Sequence, residues 1–151
     1  MIGYDYDHQA LDRAYLAATA SPAMRAFLPL HLDAANPSPD QGWRQRERGG
    51  FTARARAECV FALAFVHHLA IARNLPLPEV VDWIVAIAPV GVIEFVPKHD
   101  ATVQKMLALR DDIFQQYDES HFVAALTKRA RIVRRSEVTP GTRALFLYDR
   151  R

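Results

Sequence analysis

The residues of this sequence whose types and spacing could do chemistry are Asp5, Asp33, Glu94 and the adjacent pair His67-His68. Asp5 closes the opening run Met1-Ile-Gly-Tyr-Asp5, Asp33 follows the apolar run Phe27-Leu-Pro-Leu-His-Leu32, and Glu94 lies inside Val90-Gly-Val-Ile-Glu-Phe-Val96. In open α/β sheets ligands sit beyond the carboxyl ends of the strands, so carboxylates collected there point to a site. Each residue has a plainer competing role. Asp5 can cap a turn with Asp7. Adjacent histidines do not point the same way on a helix, and no other Cys, His or Asp stands at metal-ligand spacing to them, so no metal site is expected. One of the pair could act as general base or position a substrate, while a structural histidine bonded to backbone is the alternative. Glu94 is the only carboxylate inside an apolar strand and needs a partner, for which Lys98 is one candidate. His8, His31, His99 and His121 are scattered and carry no assignment.

The elements that must position these groups follow from periodicity. The block from Ala57 to Ala70 is the longest that could be stable only in an interior, and its first half, Cys59 to Ala64, reads as a strand buried on both faces of a parallel sheet. From Asp7, an N-cap, Leu11, Ala14, Tyr15 and Ala18 recur at helical spacing up to Ser21-Pro22, giving strand, helix, strand. Asn36-Pro-Ser-Pro-Asp40 is a turn-rich exit, and the Arg-rich Gln41 to Arg56 reads as a long loop with room for one helical turn. That loop is a candidate substrate wall or lid, with a surface insertion as the alternative. His67 to Arg73 predicts a helical turn, and Pro78 a helix N1 with Val80, Val81, Ile84, Val85 and Ile87 facing inward. Asp100 is expected to cap a helix carrying Val103, Met106, Leu107 and Arg110, and Ser120 another carrying Phe122, Val123 and Leu126. Arg131 to Arg135 and Arg143 to Tyr148 flank the turn signal Pro140-Gly141 and predict an antiparallel hairpin.

A chain of 151 residues is the size of one domain, and its formal charge of +2 is too small to argue for a nucleic-acid partner. The arginines cluster at 44–56 and the basic residues again at 128–135, and both stretches read as solvated faces. The single cysteine, Cys59, excludes an intrachain disulfide and reads as an inert core thiol. No stretch is long and clean enough to span a bilayer, because His67 and His68 interrupt the best one, and no signal peptide opens the chain. A cytoplasmic protein with no membrane partner is expected.

In order and spacing these segments resemble the class I S-adenosylmethionine-dependent methyltransferases, which have a Rossmann-like fold. Ile2-Gly-Tyr-Asp5 is similar to that family's second strand, Leu30-His-Leu-Asp33 to its third, the run from Glu58 to Leu69 to its fourth strand and following turn, and Ile93-Glu-Phe-Val-Pro-Lys98 to its fifth. The hairpin resembles the family's reversed last strand. More narrowly, Asn36-Pro-Ser-Pro, Gly42-Trp-Arg, His67-His-Leu-Ala and Glu94-Phe-Val-Pro-Lys together look like a nodulation-protein-like branch. The resemblance implies that Asp5 holds the ribose hydroxyls of S-adenosylmethionine, Tyr6 flanks the adenine, Asp33 binds the adenine amino group and the Ala34 amide faces the ring. It implies that backbone near Ala62 and Leu63 approaches the methionine moiety, with His68 and Glu94 the catalytic candidates toward a small-molecule methyl acceptor.

The expected architecture is a mostly parallel Rossmann-like sheet with an antiparallel C-terminal hairpin, in a single domain over 1–151. One part of the family pattern is missing. Its first strand and glycine-rich loop should precede Met1, so the domain is expected to be N-terminally truncated, whether by a start assigned inside a longer reading frame, as a fragment, or as a degenerate product. The strands at Met1 and Cys59 would then each expose an edge, close on each other, or borrow a strand from a partner, a homo-oligomer included. The alternative to an enzyme is a non-catalytic remnant or interaction module that pairs its open sheet edge with another subunit.

Overall fold

The computed structural model of the protein describes residues 1–108, 110–138 and 141–151. They form two compact units, Met1–Phe51 and Thr52–Arg151.

In the first unit β1 (Ile2–Asp5) and β2 (Leu28–His31) pair in parallel, with Ile2 opposite Leu28 and Asp5 opposite His31. Between them runs α1 (His8–Ala20), capped as expected by Asp7, whose side chain accepts from the Gln9 amide. Parallel strands need such a crossover. Pro22 opens a short 3-10 turn, Pro22–Met24, and ends the helix run. The loop after β2 folds back through an antiparallel bridge between Gln41 and Arg48. It closes where the Phe51 amide donates to Ser38 and the Phe51 ring meets Tyr4 edge-on at 5.6 Å. Few of this unit's side chains are buried: Ile2, Tyr4, Leu28 and Leu30 on the two strands are all exposed, although the Phe27 to Leu32 run is apolar.

A helical turn, α2 (Phe51–Arg54), leads into the second unit. There β3 (Cys59–Ala62), β4 (Val90–Phe95), β5 (Arg131–Glu137) and β6 (Ala144–Asp149) form one sheet in the order β3-β4-β6-β5. The β3-β4 pair is parallel, and β6 is antiparallel to both its neighbours. The helices are α3 (Leu77–Ile87), α4 (Ala101–Leu107) and α5 (Glu119–Thr127). The protein is thus a mixed α/β fold ending in an antiparallel hairpin. Gly141, at φ +72°, takes the left-handed conformation that glycine tolerates best, while its partner in the expected turn, Pro140, lies outside the described residues.

The core of this unit is an aromatic stack. Phe122 of α5 sits between Phe95 of β4 at 5.3 Å and Phe146 of β6 at 5.0 Å, and Tyr117 lies on Phe95 at 5.3 Å. Val80, Val81, Ile84 and Val85 of α3 are buried as their spacing predicts. Gly91 is required by close approach: a Cβ there would stand 2.6 Å from the Val60 carbonyl oxygen and 2.8 Å from the Tyr148 ring. Gly91→Ala is therefore expected to destabilise the protein by about 1–3 kcal/mol, read as a lowered urea midpoint.

Several expectations are corrected here. β3 is not buried on both faces: Phe61 is 66% and Leu63 53% exposed, and Cys59 is an exposed free thiol rather than an inert core one. The reason is that β3 has one hydrogen-bonded neighbour among the described residues, β4, just as β1 has only β2. Asp118, not Ser120, caps α5, by accepting from the His121 amide at 2.9 Å. Arg110 lies beyond α4 and instead donates to the Ile71 carbonyl and to Asn74.

Candidate active site

The sequence candidates fall into two groups, one in each unit. Asp5, Tyr6, Asp33 and Ala34 stand at the carboxyl ends of β1 and β2. Each carboxylate is fixed by its own turn: Asp5 Oδ1 accepts from the Asp7 amide at 2.9 Å, and Asp33 Oδ1 from the Ala35 amide at 3.0 Å. The turn-capping role and the ligand role of Asp5 are therefore compatible, because a carboxylate has a second oxygen to offer. Tyr6 is exposed, with its ring 5.6 Å from His31, and His31 stacks on His8 at 4.4 Å and 5°. This aromatic shelf was not legible from the sequence, since His8 and His31 are 23 positions apart and only strand pairing brings them together.

The second group gathers where β3 and β4 end. The chain leaves β3 through Ala64, which sits in the left-handed region at φ 49°, a strained conformation for a residue with a Cβ. Its amide donates to Glu94 Oε2 at 2.5 Å. Glu94 is only 7% exposed, so its charge needs partners. The partner is Arg143, not Lys98: Arg143 Nη1 lies 3.4 Å from Glu94 Oε1 and its Nε donates to Asp100 Oδ2 at 2.9 Å. Lys98 instead pairs with Asp112 at 2.8 Å. Asp100 also caps α4 by accepting from the Thr102 amide, and Arg143 with that amide holds its pKa down to about 2. Sequence inspection missed Arg143 and Asp100 as members of this group because they lie 49 and 6 positions from Glu94.

Of the histidine pair, His67 is buried at 1% exposure and His68 is exposed, their rings 4.3 Å apart. The expected helical turn is a π-helix, His68–Ala72, a rare form that is frequent at functional sites. His67 Nδ1 is buried without a hydrogen-bond partner in the protein. Burial first, then the neighbouring His68 and Arg143, lowers the His67 pKa from 6.5 to about 4, with Asp100 opposing. A histidine more acidic when folded stabilises the protein fully above its unfolded pKa, and that stability is lost as the pH falls from 6.5 through 4. The loss is on the order of 2–3 kcal/mol. Urea unfolding between pH 4 and 7 should show the slope in the wild type and a flatter profile in His67→Gln.

Ala62 is buried and Leu63 exposed, so the backbone at the end of β3 carries both a core contact and a solvent-facing side chain. The chemistry this second group offers is a carboxylate held in place by an amide and a guanidinium; the same guanidinium acts on His67, whose ring lies 4.3 Å from that of the exposed His68. A shallow cleft of about 450 Å³ between the segment 74–78 and the segment 113–117 is lined by none of the candidates. Among the described residues no three His, Cys, Asp or Glu side chains form a metal site.

The fold so defined is mixed α/β with an antiparallel C-terminal hairpin, and a solved structure shares it. The crystal structure of a possible exported protein from Bordetella parapertussis is similar with a TM-score of 0.58 at 15% identity, over 99% of this chain and 52% of that one. No family model matches the chain. Over 149 residues it is 52% identical to nodulation protein NoeA of Rhizobium meliloti (strain 1021), which covers 99% of this chain and 31% of that protein. The chain thus spans about a third of the length of the curated relative it matches.

Proposed function

We propose that this chain is part of a cytoplasmic class I S-adenosylmethionine-dependent methyltransferase that acts on an O or N atom of a small molecule. The observation that carries the reading is the strand pairing. The strand ending at Asp5 lies beside the one that leads to Asp33, the Cys59 strand lies beside the Val90 strand, and the last strand runs in reverse. These are the neighbours the resemblance implies on either side of the family's first strand.

In this reading Asp5 holds the ribose hydroxyls, Tyr6 and the Ala34 amide flank the adenine, and Asp33 takes its amino group. The fit rests on two carboxylates at the ends of adjacent parallel strands, each fixed by its own turn beside exposed rings. Backbone at Ala62 and Leu63 meets the methionine part. The bound cofactor supplies an electrophilic methyl group, so the protein needs only to align the acceptor and exclude water. Glu94 and His68 are the groups that orient the acceptor or hold its proton. In a version of the chain extended upstream, Asp5→Asn and Asp33→Asn should each weaken S-adenosylhomocysteine binding about tenfold or more, the loss of one charge-assisted hydrogen bond. Unchanged affinity in both would remove the assignment.

A second reading, an interaction module, is favoured by β1 and β3 each having one hydrogen-bonded neighbour among the described residues, with Ile2, Tyr4, Phe61 and Leu63 exposed. It predicts a dimer or larger assembly in sedimentation, and a monomer at all concentrations would contradict it.

A further inference from the structure

The loop between Gln41 and Arg48 has a form that folding alone does not explain. The Gln41 amide donates to the Arg48 carbonyl at 2.8 Å and the Arg48 amide to the Gln41 carbonyl at 3.1 Å, closing a tight hairpin. Within it Gly42 has φ +85°, and Arg44 and Gln45, which both carry a Cβ, have φ 58°. Two successive left-handed residues are unfavourable and recur where function requires them. The tip also holds Trp43 77% exposed, an apolar ring left in water. Around it Arg44, Arg46 and Arg48 are exposed, with Glu47 the single opposing charge.

Residues 42–49 are exposed throughout, so the loop is a projecting tip rather than a cleft. Small-molecule sites are concave, and this tip encloses nothing. Single-stranded nucleic acid needs a basic track with several stacking rings, and the tip offers one ring. An exposed tryptophan with three exposed arginines within five residues of it instead matches the boundary of an anionic bilayer, where indole sits at headgroup level and arginine meets lipid phosphate. We propose that the Trp43 tip docks on an anionic lipid surface, reversibly and without spanning it. No helix among the described residues is long and apolar enough to cross a membrane, and surface docking requires none.

The test is tryptophan emission of the whole chain, with Trp43→Phe as the reference that leaves Trp83 alone. Vesicles of phosphatidylcholine containing a third phosphatidylglycerol should shift emission to the blue, and pure phosphatidylcholine should not. The Arg44→Gln/Arg46→Gln double variant, altered only at exposed side chains, should bind those vesicles on the order of 30-fold more weakly. Three results would each overturn the proposal: equal response to both vesicle types, no response to either, or quenching by oligothymidylate without a vesicle response. The last would assign the tip to nucleic acid.

Discussion

Arg143→Ala is expected to destabilise the second unit by about 3 kcal/mol at neutral pH, because it removes one cation from two carboxylates at once. Its Nε meets Asp100 and its Nη1 meets Glu94, and these carboxylate side chains are 14% and 9% exposed. Removing one partner of a buried pair costs roughly 3–5 kcal/mol, since the charge left behind is neither solvated nor paired. Partial exposure of Arg143 places the expected value at the lower end. The pH dependence follows from Asp100. Its pKa is lowered when folded, so its contribution is present above about 3.8 and lost as the pH falls through about 2. The gap between wild type and Arg143→Ala in urea unfolding should therefore narrow toward pH 2. Arg143→Lys keeps the charge but not the fork that reaches both carboxylates, and should fall between them. A cost below about 1 kcal/mol would mean that the amide of Ala64 suffices for Glu94.

The second large effect is expected from Phe122→Ala. Phe122 is fully buried and holds β4 and β6 to α5 through its contacts with Phe95 and Phe146. Deleting such a ring costs roughly 3–5 kcal/mol, the transfer of the lost atoms plus the cavity left in a close-packed interior. Against a total stability of about 5–15 kcal/mol for a typical domain, that is a large share. Loss of the near-ultraviolet aromatic dichroism with a steeply lower urea midpoint is the expected reading. Val123→Ala, one position on and half-buried, should cost about 1 kcal/mol and serves as the control. Equal costs for the two would contradict the packing described.

These two sites also mark how far the sequence could be read. Local signals carried well: Asp7 and Asp100 cap helices as predicted, α3 begins one residue before the expected Pro78, at Leu77 after the N-cap Pro76, and Val80, Val81, Ile84 and Val85 are buried at their helical spacing. The hairpin strands were legible because each is apolar or β-prone and a turn signal separates them. Most of what failed was set by neighbours distant in sequence. The Cys59 run is apolar enough for an interior strand, yet its exposure depends on how many strands flank β3, which the run itself does not record. Lys98 is near Glu94 in the chain, but Arg143 reaches it through the antiparallel pairing of β4 with β6. Asp118 and Ser120 are both good N-caps, and their own bond, Ser120 Oγ donating to Asp118 at 2.5 Å, shows how closely they compete. The loop arginines were legible as charge, whereas the exposed Trp43 at the tip required the fold.

The measurement that bears most directly on the proposed function is calorimetric titration of S-adenosylhomocysteine into the 151-residue chain and into a version extended upstream. The methyltransferase reading predicts saturable one-to-one binding by the extended chain, weakened by Asp5→Asn and Asp33→Asn, and weak or no binding by the shorter one. Absence of binding by the extended chain, folded and at millimolar ligand, would contradict it and leave the open edges of β1 and β3 as surfaces for a protein partner.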